Sequence, residues 1–300
     1  MPFIILESKY RNPDLDKLFM LAKETIFSNE STLDPTTRSR LVMYVLEAEF
    51  FEEVLASDIS KLPSESHLVE IGAGIGLLAL NLAARGYNVT AFEPEARGFT
   101  EMHSMRETVV SNWVGKFPAV NFVDKFIDAE TKLDKPADYM FAINVIEHVP
   151  EYEQLIVNAL RFKSQSATLR LICPNYAIPY EPHLEIPIIL TKNLTWRIFK
   201  KRISKSAIPN PVDFWKDLSW PSQRKLEKLL KEMGVVAEFS RDATYHYVRR
   251  ALSDPKFIER KGPIFGPLLK ISATIAKHVT RFIPIALIPI IDCRITGKSK

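Results

Sequence analysis

Three groups of residues in this sequence have types and spacings suited to chemistry. In 70-EIGAGIG-76, Gly72, Gly74 and Gly76 alternate with Ala73 and Ile75 directly after an acid and an aliphatic residue, Glu70 and Ile71. Glycines at the end of a strand let the backbone turn tightly into a helix and admit a ligand to close approach. A second acid, Glu93, followed by Pro94, stands about 20 residues further on, where a carboxylate can accept from both hydroxyls of a ribose. The third group is 173-CPNYAIPYEPHLEIP-187, whose prolines fix φ and remove donors, so that neither helix nor central strand continues through it. It brings a phenol (Tyr180), a carboxylate (Glu181) and an imidazole (His183) together within four residues. Histidine is matched to taking a hydroxyl proton near neutral pH. His183, oriented by Glu181 or Glu185, is therefore the first candidate for a general base, and His148 in 144-NVIEHVP-150 is the second. A structural role for either histidine is the plain alternative, and Glu147 could simply be an acid favoured at a helix N-terminus.

The elements that must position these residues follow from periodicity. Apolar residues at three- and four-residue intervals predict helices over 14–27 and 36–60, with Thr36 after Pro35 as an N-cap. Strand-like runs then appear at 67–71, 88–93, 120–124, 138–145 and 167–173, separated by helical patterns at 76–86, 95–112 and 151–166. Strands alternating with helices indicate βαβ units and a parallel sheet covered on both faces. A helix over 221–234 and a strand over 235–240 follow. Residues 243–281 read as largely helical, and 289–298 as a last strand, antiparallel and at the sheet edge. The expected fold is α/β: a Rossmann-like, doubly wound, mostly parallel seven-stranded sheet with N-terminal helices and a helical cap. The chain divides into an N-terminal helical cap (1–62), a core (63–242) with a cap insertion (175–220), and a basic, apolar C-terminal segment (243–300).

These motifs carry a resemblance. The G-x-G-x-G spacing, with Glu70 before Ile71, resembles motif I of class I S-adenosylmethionine-dependent methyltransferases. An acid at this point would repel the pyrophosphate of a dinucleotide. 91-AFEPEA-96 resembles the family's second-strand motif, and 138-DYMFAINVIEHVP-150 resembles the fourth-strand motif of the ubiquinone-pathway O-methyltransferases and their relatives. The resemblance covers roughly residues 60–240. It implies S-adenosyl-L-methionine as cofactor, with Glu70 toward its ammonium, Gly72, Ala73, Gly74 and Gly76 along it, and Glu93 and Pro94 at the ribose. Asp128 would meet the adenine amino group, Asn144 and Val145 would lie along the cofactor, and Arg38 or Arg40 could hold its carboxylate. It further implies a glutamate (Glu147) and a histidine (His183) near the transferred methyl.

Composition limits the classes of partner. The chain has 300 residues, 46% of them apolar and 25% charged, and only two cysteines, Cys173 and Cys293, without metal-type spacing. The six histidines are scattered along the chain, so no metal is expected. The start MPFIILESKY lacks the pattern of a signal peptide, which points to a cytoplasmic protein. The fourth-strand end, Asn144-Val145-Ile146-Glu147, is not the N-P-P-Y type of amino-methylating enzymes, and no RNA-binding module accompanies the basic runs, so nucleic acid is not an expected partner. Charge is uneven: 191–206 holds six basic residues and no acid, and nine Lys or Arg lie from Lys256 to Lys300 against Glu259 and Asp292. Both 191–206 and 264–291 interleave these with large apolar residues. Two readings follow: apolar faces packed on the sheet with lysines snorkelling, or peripheral membrane contact.

The sequence thus predicts O-methylation of a hydroxyl on a small-molecule or lipid-linked acceptor by in-line displacement. His183, His148, Glu147 and Tyr180 are the candidate catalytic residues. Transfer to carbon or nitrogen, and a non-catalytic cofactor-binding fold, are the alternatives. An aminopropyl transferase is disfavoured, because no acidic polyamine-binding cluster follows the fourth strand.

Overall fold

Strand β1 (His67–Ile71) has four of its five side chains buried, the burial of a central strand covered on both faces. The structure, a computed structural model, describes residues 35–94, 105–107, 120–206, 208, 210–259 and 262–298. The helix expected over 14–27 lies outside the described residues, as does most of that expected over 95–112, of which 105–107 are helical. Around β1 run β2 (Asn88–Phe92), β3 (Asn121–Val123), β4 (Ala137–Ile143), β5 (Lys163–Pro174), β8 (Val235–Phe239) and β9 (Ile290–Lys298). They form one seven-stranded sheet in the order β3-β2-β1-β4-β5-β9-β8. Strands β1 to β5 pair in parallel. Strand order reverses between β1 and β4, so the crevice at their carboxyl ends is where an open α/β sheet binds its ligand.

The last strand is antiparallel, as expected, but it is not at the edge. β9 lies between β5 and β8 and runs antiparallel to both, which leaves β8 as the edge strand. The reason is on its two faces. Ile291, Cys293 and Ile295 fill one apolar layer, while Asp292 meets Arg170 of β5 on the other. Both demands require β5 as a neighbour.

Alternation along the strands divides the core into two layers. Val69, Ile71, Met140, Ala142, Leu169 and Leu171 face helices α3 (Tyr152–Leu160) and α6 (Gln223–Glu232). Leu68, Tyr139, Phe141 and Ile172 face α1 (Pro35–Ile59), α2 (Leu77–Ala84) and α7 (Asp242–Ser253). The described part of α1 begins at Pro35, so Thr36 lies inside the helix and not at its cap. Helix α3 stops at Leu160, short of the expected 166, because Lys163 already pairs with Ala137 of β4.

Helix α1 is tied to the sheet by charge as well as by packing. The guanidinium of Arg170, fully buried, donates to Asp292 through Nε (2.9 Å) and Nη2 (2.8 Å), and to Asp58 and the Val54 carbonyl through Nη1. Arg294 Nε donates to Asp58 at 2.9 Å, and its Nη2 to Asp242 at 3.0 Å. The two arginines hold Asp58 below the usual carboxylate range against the opposing effect of burial.

After β5 the chain makes a short hairpin of β6 (Tyr180–Glu181) and β7 (Ile186–Pro187), then helices α4 (Lys192–Ile203) and α5 (Pro211–Asp217). Leu184, Ile186, Ile203, Trp215 and Leu218 form the core of this cap, with Trp196, Phe199 and Phe214 packed on it. The large side chains of 191–206 therefore pack inward for the most part. Ile198 (54%) stays exposed on α4, with Leu190 (89%) just before it. Helices α8 (Pro255–Glu259) and α9 (Gly262–Val279) follow α7 and pack against it through Val248, Ala251, Phe257 and Ala273.

Candidate functional site

The glycine loop leaves β1 with Gly72, Gly74 and Gly76 all in the left-handed region, at φ 73°, 56° and 79°. At two of them a side chain is excluded by neighbours as well as by φ. A Cβ on Gly72 would stand 2.3 Å from Val145 Cγ2, and one on Gly76 2.7 Å from the Phe122 ring. Val145 thus packs directly on the loop from the end of β4. Gly74 N donates to Glu93 Oε2 at 2.7 Å, which holds the carboxylate at the mouth of the crevice. Burial raises the Glu93 pKa, against the Gly74 hydrogen bond and the charge of Arg106.

Glu70 is the polar exception within β1. It is 6% exposed, and its Oε2 has no hydrogen-bond partner. Burial first, then the charge of Glu93, push its pKa well above the carboxylate range, against a hydrogen bond from the Ala79 amide. A buried carboxylate oxygen without a partner is costly, and a cation supplied by a ligand would remove that cost.

At the end of β4, Asn144 takes a left-handed φ of 54° and its Nδ2 donates to Glu47 Oε1 of α1 at 2.9 Å. Ile146–His148 form a single 3-10 turn. The Glu147 side chain is 0% exposed, and neither carboxylate oxygen has a hydrogen-bond partner, although His148 Nε2 stands 3.9 Å from Oε1. Burial lifts its pKa to about 7, the charge of His183 opposing and those of Glu47 and Glu181 assisting. The cap is fastened to this turn: Ser219 N donates to the Glu147 carbonyl at 2.8 Å, and its Oγ to the Ile146 carbonyl at 2.7 Å.

His183 comes from the hairpin after β5. Its Nδ1 lies 2.7 Å from Glu181 Oε1, and Glu181 also accepts from Tyr176 Oη, His183 N and Leu184 N. Burial opposes charge on this imidazole, yet the Glu181 hydrogen bond and the surrounding carboxylates raise its pKa above the ordinary value. The His148 ring lies 4.9 Å from that of His183, and the two lie 5.2 and 5.4 Å from Phe214 of α5. Burial, reinforced by His183, drives the His148 pKa down to about 3, so His148 is neutral at physiological pH.

The fold thus gathers Glu147, His148 and His183, two of them from the 3-10 turn after β4 and one from the hairpin after β5. Ligand-capable atoms of all three lie within 4.8 Å of one another. Histidines scattered along the chain therefore do meet in space. Tyr180 does not join them: successive strand residues face opposite ways, so with Glu181 buried inward, Tyr180 turns outward and is 40% exposed. Asp128 is an exposed turn residue whose Oδ1 accepts from the Glu130 and Thr131 amides and Thr131 Oγ1.

The family described as a methyltransferase domain (Methyltransf_23) matches residues 46–236, from the middle of α1 into β8. The chain belongs to this methyltransferase family. It is a class I, S-adenosylmethionine-dependent enzyme. "Uncharacterized protein Rv1509" of Mycobacterium tuberculosis is 29% identical over 257 residues, covering 84% of this chain and 86% of the relative. The ubiquinone biosynthesis O-methyltransferase of Rickettsia conorii is 35% identical over 116 residues, covering 39% of this chain and 35% of that protein. Among solved structures, a putative sarcosine dimethylglycine methyltransferase from Galdieria sulphuraria aligns with a TM-score of 0.47 and 14% identity, over 83% of this chain and 85% of that one.

The methyltransferase has residues that fit its cofactor. When bound, S-adenosylmethionine supplies a methyl group on a positively charged sulfur. Glu70 offers a buried, unpartnered oxygen suited to an ammonium, and the glycine loop offers a backbone open to close approach. Glu93 is already held in place by Gly74. Sequence reasoning missed Glu47, Tyr176, Phe214 and Ser219. Each comes from an element whose approach to the site depends on tertiary packing, and no local spacing marks it.

Proposed function

We propose that this methyltransferase moves a methyl group to a hydroxyl of a small-molecule or lipid-linked acceptor, with His183 as the general base. The Glu181–His183 pair carries the reading. Glu181 is fixed by three further donors, so its contact with Nδ1 makes that nitrogen the proton-bearing one and leaves Nε2 free to accept. His183 Nε2 would take the proton of the acceptor oxygen, to which bound S-adenosylmethionine would supply the methyl and then depart as a neutral thioether. Glu181 then faces an imidazolium, which its charge stabilises. Glu147 and neutral His148 close the other side, and the cap excludes water from the displacement.

Glu70, the glycine loop with Ala73, Glu93 with Pro94, Asn144 and Val145 form the proposed cofactor wall, with Asp128 at its adenine end. The half-buried Arg38 and Arg40 on α1 are candidates for the cofactor carboxylate. Transfer to nitrogen is a second reading, favoured by the carboxylates of Glu47, Glu147 and Glu181 around His183, since such surroundings attract an amine. The proposed setting is cytoplasmic, with peripheral membrane contact if the acceptor is lipid-linked.

Replacing His183 with Ala tests the base. Turnover should fall about 100-fold or more while cofactor affinity stays close to wild type. Equal loss of cofactor binding would remove His183 from the catalytic role.

A further inference from the structure

Helix α9 and the turn that follows it carry three rows of side chains. At about 100° per residue, Leu269, Ala273, Ala276 and Thr280 share one face. That face is the packed one: Ala273 is 3% and Thr280 2% exposed, and Leu269 and Ala276 join the cluster with Val248 and Phe257. Lys270, Lys277 and Arg281 form a second row, all exposed. The third row is apolar and faces solvent: Leu268, Ile271, Ile275 and Val279, carried on by Phe282, at 54%, 59%, 57%, 38% and 71% exposure. It is turned more than about 90° from the packed face, so it cannot belong to the same core.

Single exposed aliphatics are ordinary, whereas a continuous row of them marks a contact surface. Its charge says what kind. From Arg260 to Ile291 the sequence has Arg260, Lys261, Lys270, Lys277 and Arg281 and no Asp or Glu. The complementary surface is apolar within and anionic without. No helix among the described residues is long and apolar enough to cross a membrane, so α9 would lie on one. Helix α4 offers no such row, because Trp196, Phe199 and Ile203 turn into the cap and Ile198 stands alone on its exposed side.

We propose that the row from Leu268 to Phe282 docks the methyltransferase on an anionic lipid surface, with Lys270, Lys277 and Arg281 reaching the headgroups. This places the membrane contact of the proposed function on α9 and not on 191–206. The docking stands on α9 itself, and only its use, access to a lipid-linked acceptor, rests on that function.

Flotation of the full chain with phosphatidylcholine vesicles, with and without phosphatidylglycerol, tests the docking. Wild type should float with the anionic vesicles at low salt and be released by added salt. Ile271→Ser with Ile275→Ser should weaken partitioning at least about tenfold, and Lys270→Glu with Lys277→Glu at least about 25-fold. Calorimetry with S-adenosylmethionine on each variant reports whether the core is intact. Wild type that stays unbound at low salt overturns the proposal, as do folded variants that float as well as wild type. Self-association that depends on the apolar row, seen by sedimentation without flotation, would assign the row to a second copy and also overturn it. Failure of wild type to bind S-adenosylmethionine would instead strike the methyltransferase reading and leave the flotation result standing.

Discussion

Glu181 Oε1 lies 2.7 Å from His183 Nδ1, inside a hairpin that turns every other contact of this carboxylate inward. The contact fixes the imidazole tautomer and, against burial, raises its pKa, so His183 becomes a base at higher pH than an ordinary histidine. Rate should rise with pH through that raised value. In Glu181→Gln the stabilising charge is gone, so the acidic limb of the pH–rate curve should move to lower pH. The plateau should fall about 100-fold or more, because the tautomer is no longer held. An unmoved limb would detach Glu181 from the base.

Glu70 should separate affinity from stability. Its pKa is raised by burial, so the carboxyl group contributes stability below its ordinary pKa and loses it as pH rises through the folded value. Glu70→Gln should therefore leave the ligand-free enzyme as stable as wild type near neutral pH, or more so. S-adenosylmethionine should bind at least about tenfold more weakly to it in calorimetry. Gly72→Ala should lose cofactor binding for another reason, since its Cβ would collide with Val145 in a backbone conformation that alanine resists.

Glu147 gives a second linkage with a defined window. With a folded pKa of about 7 against an ordinary 4.5, it takes up a proton on folding between those values. Its contribution to stability is complete below 4.5 and is lost as pH rises through 7. Melting curves should show Glu147→Gln gaining on wild type across that interval, by at most about 3 kcal/mol. Parallel curves for the two proteins would contradict the buried, unpartnered carboxylate.

Asp292→Ala should be among the most damaging single changes away from the site. It leaves the fully buried Arg170 without its two-point partner, at a cost of roughly 3–5 kcal/mol. Urea denaturation measures this directly. Because Arg170 also holds α1 through Asp58 and the Val54 carbonyl, the same change should loosen the helix that brings Glu47 to Asn144.

The parts of this protein legible in the sequence were those governed by local rules. Strand and helix periods placed β1, β2, β4 and β8 within a residue or two. The glycine spacing marked the tight loop after β1, because positive φ at Gly72, Gly74 and Gly76 leaves a mark on residue type. The place of β9 was not legible, since it depends on Asp292 meeting an arginine that precedes it in sequence by 122 residues. In the site, His183 and Glu181 were found because they are neighbours in the chain. The outward turn of Tyr180 was not legible, because it follows from the hairpin register with Ile186 and Pro187. The approach of His148 to His183 likewise exists only once the cap is folded onto the 3-10 turn through Ser219.

In the proposed mechanism one residue set holds the methyl donor and another removes the acceptor's proton. The most direct test pairs S-adenosylmethionine calorimetry with transfer of a labelled methyl group into a total lipid and metabolite extract, for wild type and His183→Ala. Cofactor affinities should be near-equal, and transfer should fall about 100-fold or more in the variant. Undiminished transfer by His183→Ala, or a matching collapse of cofactor binding, would contradict it.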